Sequence, residues 1–404
     1  MAPLTAADLQ ADLVDLRRAL HREPEIGLRL PLTQAKILAA LKDLPLEIST
    51  GESLDSVVAV LRGGRADREN GAPAVLLRAD MDALQVRETS DVPYTSHVDG
   101  AMHACGHDLH MAIAVGAARL LSDRRDDLPG DVVFMFQPAE ESPGGAAPMI
   151  AEGVLDAAGP RVVAAYGVHV SSAVSHWGHF QIRRGSLMAS ADSIHVTVRG
   201  AGGHASRPFR ARDPIPAACE MVLAMQTHVT RTHDIFDPVV VTVGTFHAGT
   251  RENVIPPEAS FSATVRAFNP QARAKLESGL RQVCEGIAAA HGLDIEFVWE
   301  SGYPPTINDE IEADFVADTI TDMFGGERLH WMSDPEPGAE DFSYVLEAVP
   351  GAFFFLGACP KEDDPATAPI NHAPDARFDD AVLADGVELM STLAQRRLEK
   401  ASSA

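Results

Sequence analysis

The 404-residue sequence is sparing with cysteine, of which it has four, with tryptophan and tyrosine, three and four, and with basic residues, 33 Lys plus Arg against 58 Asp plus Glu. Cysteines this scattered (Cys105, Cys219, Cys284, Cys359) do not make a disulfide framework, so reduced thiols in a cytoplasmic compartment are expected. The formal net charge of −25 sets up a field that repels phosphate backbones and anionic lipid headgroups, which argues against nucleic acid and membrane surfaces as partners. No long apolar run is present either: the most apolar stretch, Met111 to Leu121, contains Arg119 and falls far short of the ~20 residues of a membrane span. Asp8, Asp12 and Asp15 near the start are foreign to a signal peptide, and no targeting segment is expected.

What is present is ordinary globular material, 46% hydrophobic and 23% charged. Hydrophobic periodicity predicts helices over Leu9 to Leu20, Thr33 to Leu41 and about Asp108 to Ser122. They alternate with apolar strand-like runs at Ser56 to Leu61, Ala74 to Ala79, Val132 to Phe136 and Val162 to Val168, a pattern of an α/β sheet. Phe353 to Phe355 reads as a further buried strand. The middle of the chain differs. Strands at Asp192 to Arg199, Val239 to Phe246, Glu258 to Ala267 and Asp294 to Trp299, with helices at Ile215 to Val229 and Gln271 to His291, follow the order β-α-β-β-α-β of a ferredoxin-like unit. The expected organisation is therefore one α/β domain, residues 1–188 and 302–404, interrupted by a small α+β domain at 189–301. Cys219 and Cys284 fall on apolar helix faces and read as core thiols.

The densest polar cluster is His103-Ala104-Cys105-Gly106-His107-Asp108-Leu109-His110. A thiolate and an imidazole two residues apart can face one cation, the glycine between them letting the backbone turn. Alone, such a pair reads more often as a buried thiol beside solvated histidines. Further clusters shift that balance: Gln137-Pro138-Ala139-Glu140-Glu141 after one strand, Gly167-Val168-His169 at the end of another, Asp80-Met81-Asp82 after a third, and Asn371-His372-Ala373-Pro374. Adjacent carboxylates with opposed side chains can divide their work, one binding metal and the other serving as base. Chemistry in open α/β sheets collects at such strand ends.

Together with His21-Arg22-Glu23-Pro24-Glu25, Gly202-Gly203-His204-Ala205-Ser206, Asn253-Val254-Ile255-Pro256 and Glu340-Asp341-Phe342, these motifs make the chain resemble the M20 metallopeptidases. The similarity is to their amidohydrolase branch of hippurate, N-acyl-amino-acid and auxin-conjugate hydrolases. It implies a phosphorylase/hydrolase-like catalytic domain with a mixed central sheet and a lid and dimerisation domain. It also implies two divalent metal ions per subunit, zinc, manganese or cobalt, held by Cys105, His107, Glu141, His169 and His372. By the same resemblance Glu140 is the general base, Asp82 supports the ligands, His204 polarises the scissile carbonyl, and Asn253 and Arg266 grip a substrate carboxylate. The implied substrate is a small N-acyl or N-aroyl amino acid and the implied assembly a homodimer or higher homo-oligomer through the lid. A rival enzyme reading makes Cys105 the nucleophile of a thiol hydrolase with His107 or His110 as base. A non-catalytic acyl-amino-acid binder of the same fold is the other alternative. Two departures from the family pattern stand out: Phe209 after Pro208, in a basic Arg207 to Arg212 segment, and Pro257 after Asn-Val-Ile-Pro.

Overall fold

The structure, a computed structural model, describes residues 4–68 and 71–403. It divides into two compact units, one of residues 1–185, 307–334 and 341–404, the other of 186–306 and 335–340.

In chain order the first unit opens with α1 (Ala6–Arg22), whose start is capped reciprocally by Thr5 and Asp8, and α2 (Pro31–Leu41). There follow β1 (Leu46–Thr50), β2 (Val57–Leu61), β3 (Ala74–Asp80), α3 (His107–Asp123), β4 (Asp131–Gln137), β5 (Ala164–Ser171) and β6 (Phe180–Ile182). The second unit contributes β7 (Asp192–Arg199), α4 (Pro214–Thr232), β8 (Val239–Ala248), β9 (Glu258–Ala267), α5 (Pro270–Ala290) and β10 (Asp294–Glu300). The chain returns to the first unit with α6 (Glu310–Phe324), β11 (Leu329–Trp331), β12 (Gly351–Gly357) and α7 (Leu383–Ser402).

The large sheet has the order β1-β2-β4-β3-β5-β12-β6-β11 and is mixed. Its middle strands β4, β3, β5 and β12 run parallel, while β2 and β6 join antiparallel. Every residue of β3 and β4 is buried, which is why neither alternates and apolar residues run unbroken over Ala74 to Leu77 and Val132 to Phe136. Because the four middle strands are parallel, their carboxyl ends share one edge of the sheet, and Asp82, Glu140, Glu141 and His169 all lie at or just beyond those ends. In the second unit the order β8-β9-β7-β10, antiparallel throughout, is that of a ferredoxin-like sheet. Here β7 and β9 alternate buried and exposed, their inward residues Ile194, Val196, Val198, Phe261 and Val265 packing in a core of their own.

Three short strands of the large sheet escape sequence reading: β1 is mostly exposed and carries no apolar run, and β6 and β11, of three residues each, are defined by their neighbours. Residues 335–340 also lie outside the expected inserted range yet cluster with it, since the Ala189 N–H donates to the carbonyls of Glu336 and Gly338. Cys219 is a correction. Ala217, Ala218, Met221 and Met225 form the buried stripe of α4, and Cys219, rotated off it, is exposed; Cys284 is buried as expected. No helix among the described residues is long and apolar enough to cross a membrane.

The His21-Arg22-Glu23-Pro24-Glu25 motif anchors α3. Buried His21 places Nδ1 2.7 Å from Asp108 Oδ2, in the first turn of α3, and Nε2 3.2 Å from Glu88 Oε1. Burial lowers the pKa of this ring, but Asp108 and Glu88 outweigh it and the net shift is upward. The stabilisation from charged His21 is thus complete below the ordinary imidazole pKa and lost as pH rises through the elevated one. The stability gap between wild type and His21→Gln, followed by urea unfolding, is therefore expected to narrow as pH rises above the ordinary imidazole pKa of about 6.5. A gap that widens would contradict this clamp.

Candidate metal centre

Three chain segments meet at the carboxyl edge of the parallel strands, beginning with the turn into α3. Gly106 precedes the helix with φ of 84°, and a side chain there would meet Val170 Cγ2 at 2.4 Å, so only glycine lets Cys105 and His107 flank the turn. Beyond β4, Ala139 has φ of 60°, a left-handed conformation that costs a non-glycine residue energy and turns the chain so that Glu140 and Glu141 follow at once. His372 has φ of 72° and is held by its own N–H, which donates to the Ala104 carbonyl at 2.9 Å. Two of the three segments thus carry backbone strain at or beside a predicted ligand.

The predicted ligand atoms converge. Cys105 Sγ lies 3.2 Å from both His169 Nε2 and His372 Nε2, and His372 Nε2 lies 3.1 Å from Glu141 Oε1. Cys105, His107 and His169 form one group with ligand atoms within 4.8 Å of one another, and Cys105, Glu141 and His372 a second, the thiol being common to both. Glu140 joins His107 and Glu141 in a third such group.

The hydrogen bonds behind these atoms determine which lone pairs face the centre. His107 Nδ1 donates to the Asp82 carbonyl at 2.8 Å, and His169 Nδ1 to the Val170 carbonyl at 2.8 Å. In each ring the outward nitrogen is therefore the proton donor and Nε2 is left to ligate, the arrangement found behind metal-bound histidines. Buried His107 Nε2 has no hydrogen-bond partner among the described residues, Asp80 Oδ2 standing 3.6 Å away. Asp82 does not enter the cluster with its carboxylate: Oδ1 accepts the Glu140 N–H at 2.9 Å and Oδ2 the Glu141 N–H at 3.0 Å.

Electrostatics also favours a cation. Burial works against a charged His107, yet Asp80, then Asp82 and Glu141, lift its pKa to about 10. Negative charge is in surplus here, and a proton takes the place a metal cation can fill. Burial first, then Glu141 and Glu140, push the Cys105 thiol well above its ordinary pKa. Orphaned nitrogen, converging Cys, His and Glu donors and excess negative charge together fit divalent metal.

Behind the cluster lies a buried web that the sequence motifs do not reveal. Arg78 reaches Asp80 Oδ2 at 2.6 Å and Asp341 Oδ1 at 3.1 Å, and Asp341 Oδ2 accepts the N–H groups of Gly145 and Ala146 at 2.8 and 2.9 Å. Asn371 donates to the carbonyls of Cys105 and Val170. Only the pairing of distant strands brings these residues together.

The other predicted residues stand on the second unit. His204 and Val254 face each other on a two-stranded ribbon, and the Ala205 N–H donates to the Asn253 carbonyl at 3.2 Å, so His204 and Asn253 are neighbours. His204 is exposed, and its Nδ1 accepts the Ser206 N–H at 3.2 Å, which leaves the proton on Nε2. Arg266 lies on β9 with Nη1 bonded to the Val265 carbonyl, and no hydrogen bond among the described residues links it to His204 or Asn253. Phe209 is 79% exposed, and Pro257 keeps β9 in register by accepting the Gly200 N–H.

Comparison with known proteins agrees with this chemistry. The model of peptidase family M20/M25/M40 matches residues 76–396. An N-acetylcysteine deacetylase of Bacillus subtilis is 38% identical over 346 residues, 85% of this chain and 88% of that protein. IAA-amino acid hydrolase ILR1-like 4 of Arabidopsis thaliana is 35% identical over 390 residues, 96% of this chain and 86% of that one. Among solved structures, the Bacillus subtilis YXEP protein, described as a dinuclear metal binding peptidase from the M20 family, superposes with a TM-score of 0.81 at 32% identity, covering 97% of this chain and 99% of that one. The chain belongs to the M20/M25/M40 peptidase family and is a metal-dependent hydrolase of amide bonds.

Proposed function

We propose that this hydrolase cleaves N-acyl or N-aroyl amino acids into a carboxylic acid and an amino acid, with Glu140 as general base and two divalent ions at the centre. The observation that carries the reading is the division between adjacent carboxylates: Glu141 lies against His372 and Cys105, while Glu140, its N–H bound to the same Asp82, sits beside His107 and Glu141. Cys105, His107 and His169 are assigned to one ion and Cys105, Glu141 and His372 to the other. Zinc, manganese and cobalt all suit these donors. Bound divalent cations supply Lewis acidity, polarising the amide carbonyl and acidifying water.

The chain's own groups then do the following. The Glu140 carboxylate accepts a proton from water as the water oxygen bonds to the amide carbon, and passes it to the amine nitrogen as the C–N bond breaks. His204, whose Nδ1 accepts from Ser206 and whose Nε2 is left as the donor, is assigned to donate to the oxygen that gains charge. Asn253 and Arg266 are assigned to the carboxylate of the amino-acid half. Relatives named for N-acetylcysteine and for IAA-amino acids have in common an acyl group joined to an amino acid, which supports this substrate class. The elevated pKa of Cys105 speaks against a thiol nucleophile, whose pKa is normally depressed. We also propose self-association through the second unit, whose sheet ends in two unpaired edge strands, β8 and β10.

Glu140→Gln is expected to lower kcat about 10²–10⁴-fold on a panel of N-acetyl, N-benzoyl and indole-acetyl amino acids while metal content, measured by atomic absorption, stays unchanged. Full activity in that variant would end the reading. Dialysis against a strong chelator should abolish turnover and Mn²⁺, Zn²⁺ or Co²⁺ restore it; activity that survives chelation and falls only on thiol alkylation would favour Cys105 as nucleophile. Light scattering should return twice the chain mass at micromolar concentration, and a monomer would count against association.

A further inference from the structure

His110 takes no part in the roles assigned above, although it stands three residues after His107 on α3 and is fully buried. Both of its ring nitrogens are engaged: Nδ1 lies 2.6 Å from Asp80 Oδ1, and Nε2 accepts the Val170 N–H at 2.8 Å. A backbone amide can only donate, so Nε2 bears the lone pair and the proton sits on Nδ1, facing the carboxylate. That lone pair is therefore spent within the protein. Asp80, His107 and His110 bring ligand atoms within 4.8 Å of one another, yet His110 has nothing left for a cation.

The bond to Val170 falls at a critical place. Pairing of β5 with β3 stops at Gly167, and three residues later a side chain, not a strand, receives the Val170 N–H. The carbonyl of the same residue accepts from His169 Nδ1 at 2.8 Å and from Asn371 Nδ2 at 3.0 Å. Asn371 in turn donates to the Cys105 carbonyl at 3.2 Å and immediately precedes His372. One residue of β5 thus orients His169 directly, and Cys105 and His372 through Asn371.

We infer that His110 is a positioning residue: its Nε2 continues the sheet where β3 has ended and fixes Val170, the residue on which three of the five metal-ligand side chains are aligned. The inference rests on the reading of Cys105, His169 and His372 as ligands. It explains why a second imidazole stands so near the centre without joining it.

The test uses the full-length protein and Co²⁺. An asparagine amide reproduces the δ position of histidine and a glutamine amide the ε position. His110→Gln is therefore expected to retain the contact to Val170 and bind Co²⁺ near wild-type affinity with the same visible absorption bands. His110→Asn should keep the Asp80 contact, lose Val170, bind Co²⁺ about 10–100-fold more weakly and show altered bands. Equal binding by the two variants, or the reverse ranking, would overturn the inference. Wild type supplies an independent readout should either variant fail to fold. In metal-free protein, ¹⁵N spectra of labelled histidine should show His110 as the Nδ1–H tautomer, and the Val170 amide should exchange as slowly as those of Tyr166 and Val168. An Nε2–H tautomer or a fast Val170 amide would refute it. Failure of wild type to bind Co²⁺ would instead refute the ligand reading, leaving the tautomer and exchange measurements to decide the bond itself.

Discussion

Two successive backbone N–H groups bound to one buried carboxylate hold this centre together. Asp82 accepts from Glu140 and Glu141, and its own carbonyl receives His107 Nδ1, so a single residue ties the turn after β4 to the start of α3. Charge-assisted bonds of this kind are stronger than neutral ones, and here they act on backbone, so they set the path of the chain and not merely a rotamer. A second carboxylate, Asp341, does the same for the far side of that loop through Gly145 and Ala146. Arg78 joins Asp341 to Asp80 with no exposure to solvent, a placement tolerable only because each charge has partners.

Such a construction explains how carboxylates, imidazoles and a thiol can be packed so closely in one place. None of the acidic groups behind the cluster is free to move toward its neighbours, and the resulting negative potential has no outlet except a bound cation or proton. The raised pKa of His107 expresses this imbalance, and the thiol of Cys105 is raised first by burial and then by the same carboxylates. The protein's overall charge of −25 bears on its encounters with other polyanions, whereas this local excess bears on chemistry.

Much of this arrangement is legible in the amino-acid sequence. The runs at β3 and β4 show no alternation because both faces are covered, and β7 and β9 alternate because one face is not, so period alone separates the two kinds of sheet. The adjacent glutamates and His169 stand out because they terminate or follow such runs, and the Cys-x-His pair because it opens a helix. Short strands such as β6 and β11 escape a reading of this kind, since three residues have no periodicity and exist as strands only through a distant partner. Cys219 runs against its apolar neighbourhood because one step around a helix separates a buried stripe from solvent. The partners of Asn371, Asp341 and Val170 are invisible for a different reason: their function is a hydrogen bond across strands whose neighbours are set by the order β4-β3-β5-β12, and nothing local records that order.

The pairing of β5 with β12 has a consequence for biosynthesis. Val170 and Leu356 are partners, and the whole of residues 186–306 is translated between them. That segment has its own sheet and core, so most of what it needs to fold is present once residue 306 has emerged. The larger sheet must wait, with an apolar edge of β5 open in the meantime, and contacts so distant in sequence form slowly. His372 arrives later still, so on the ligand assignment proposed above metal capture by the complete set of side chains is a closing event, and the nascent chain is most exposed to aggregation in the interval before it.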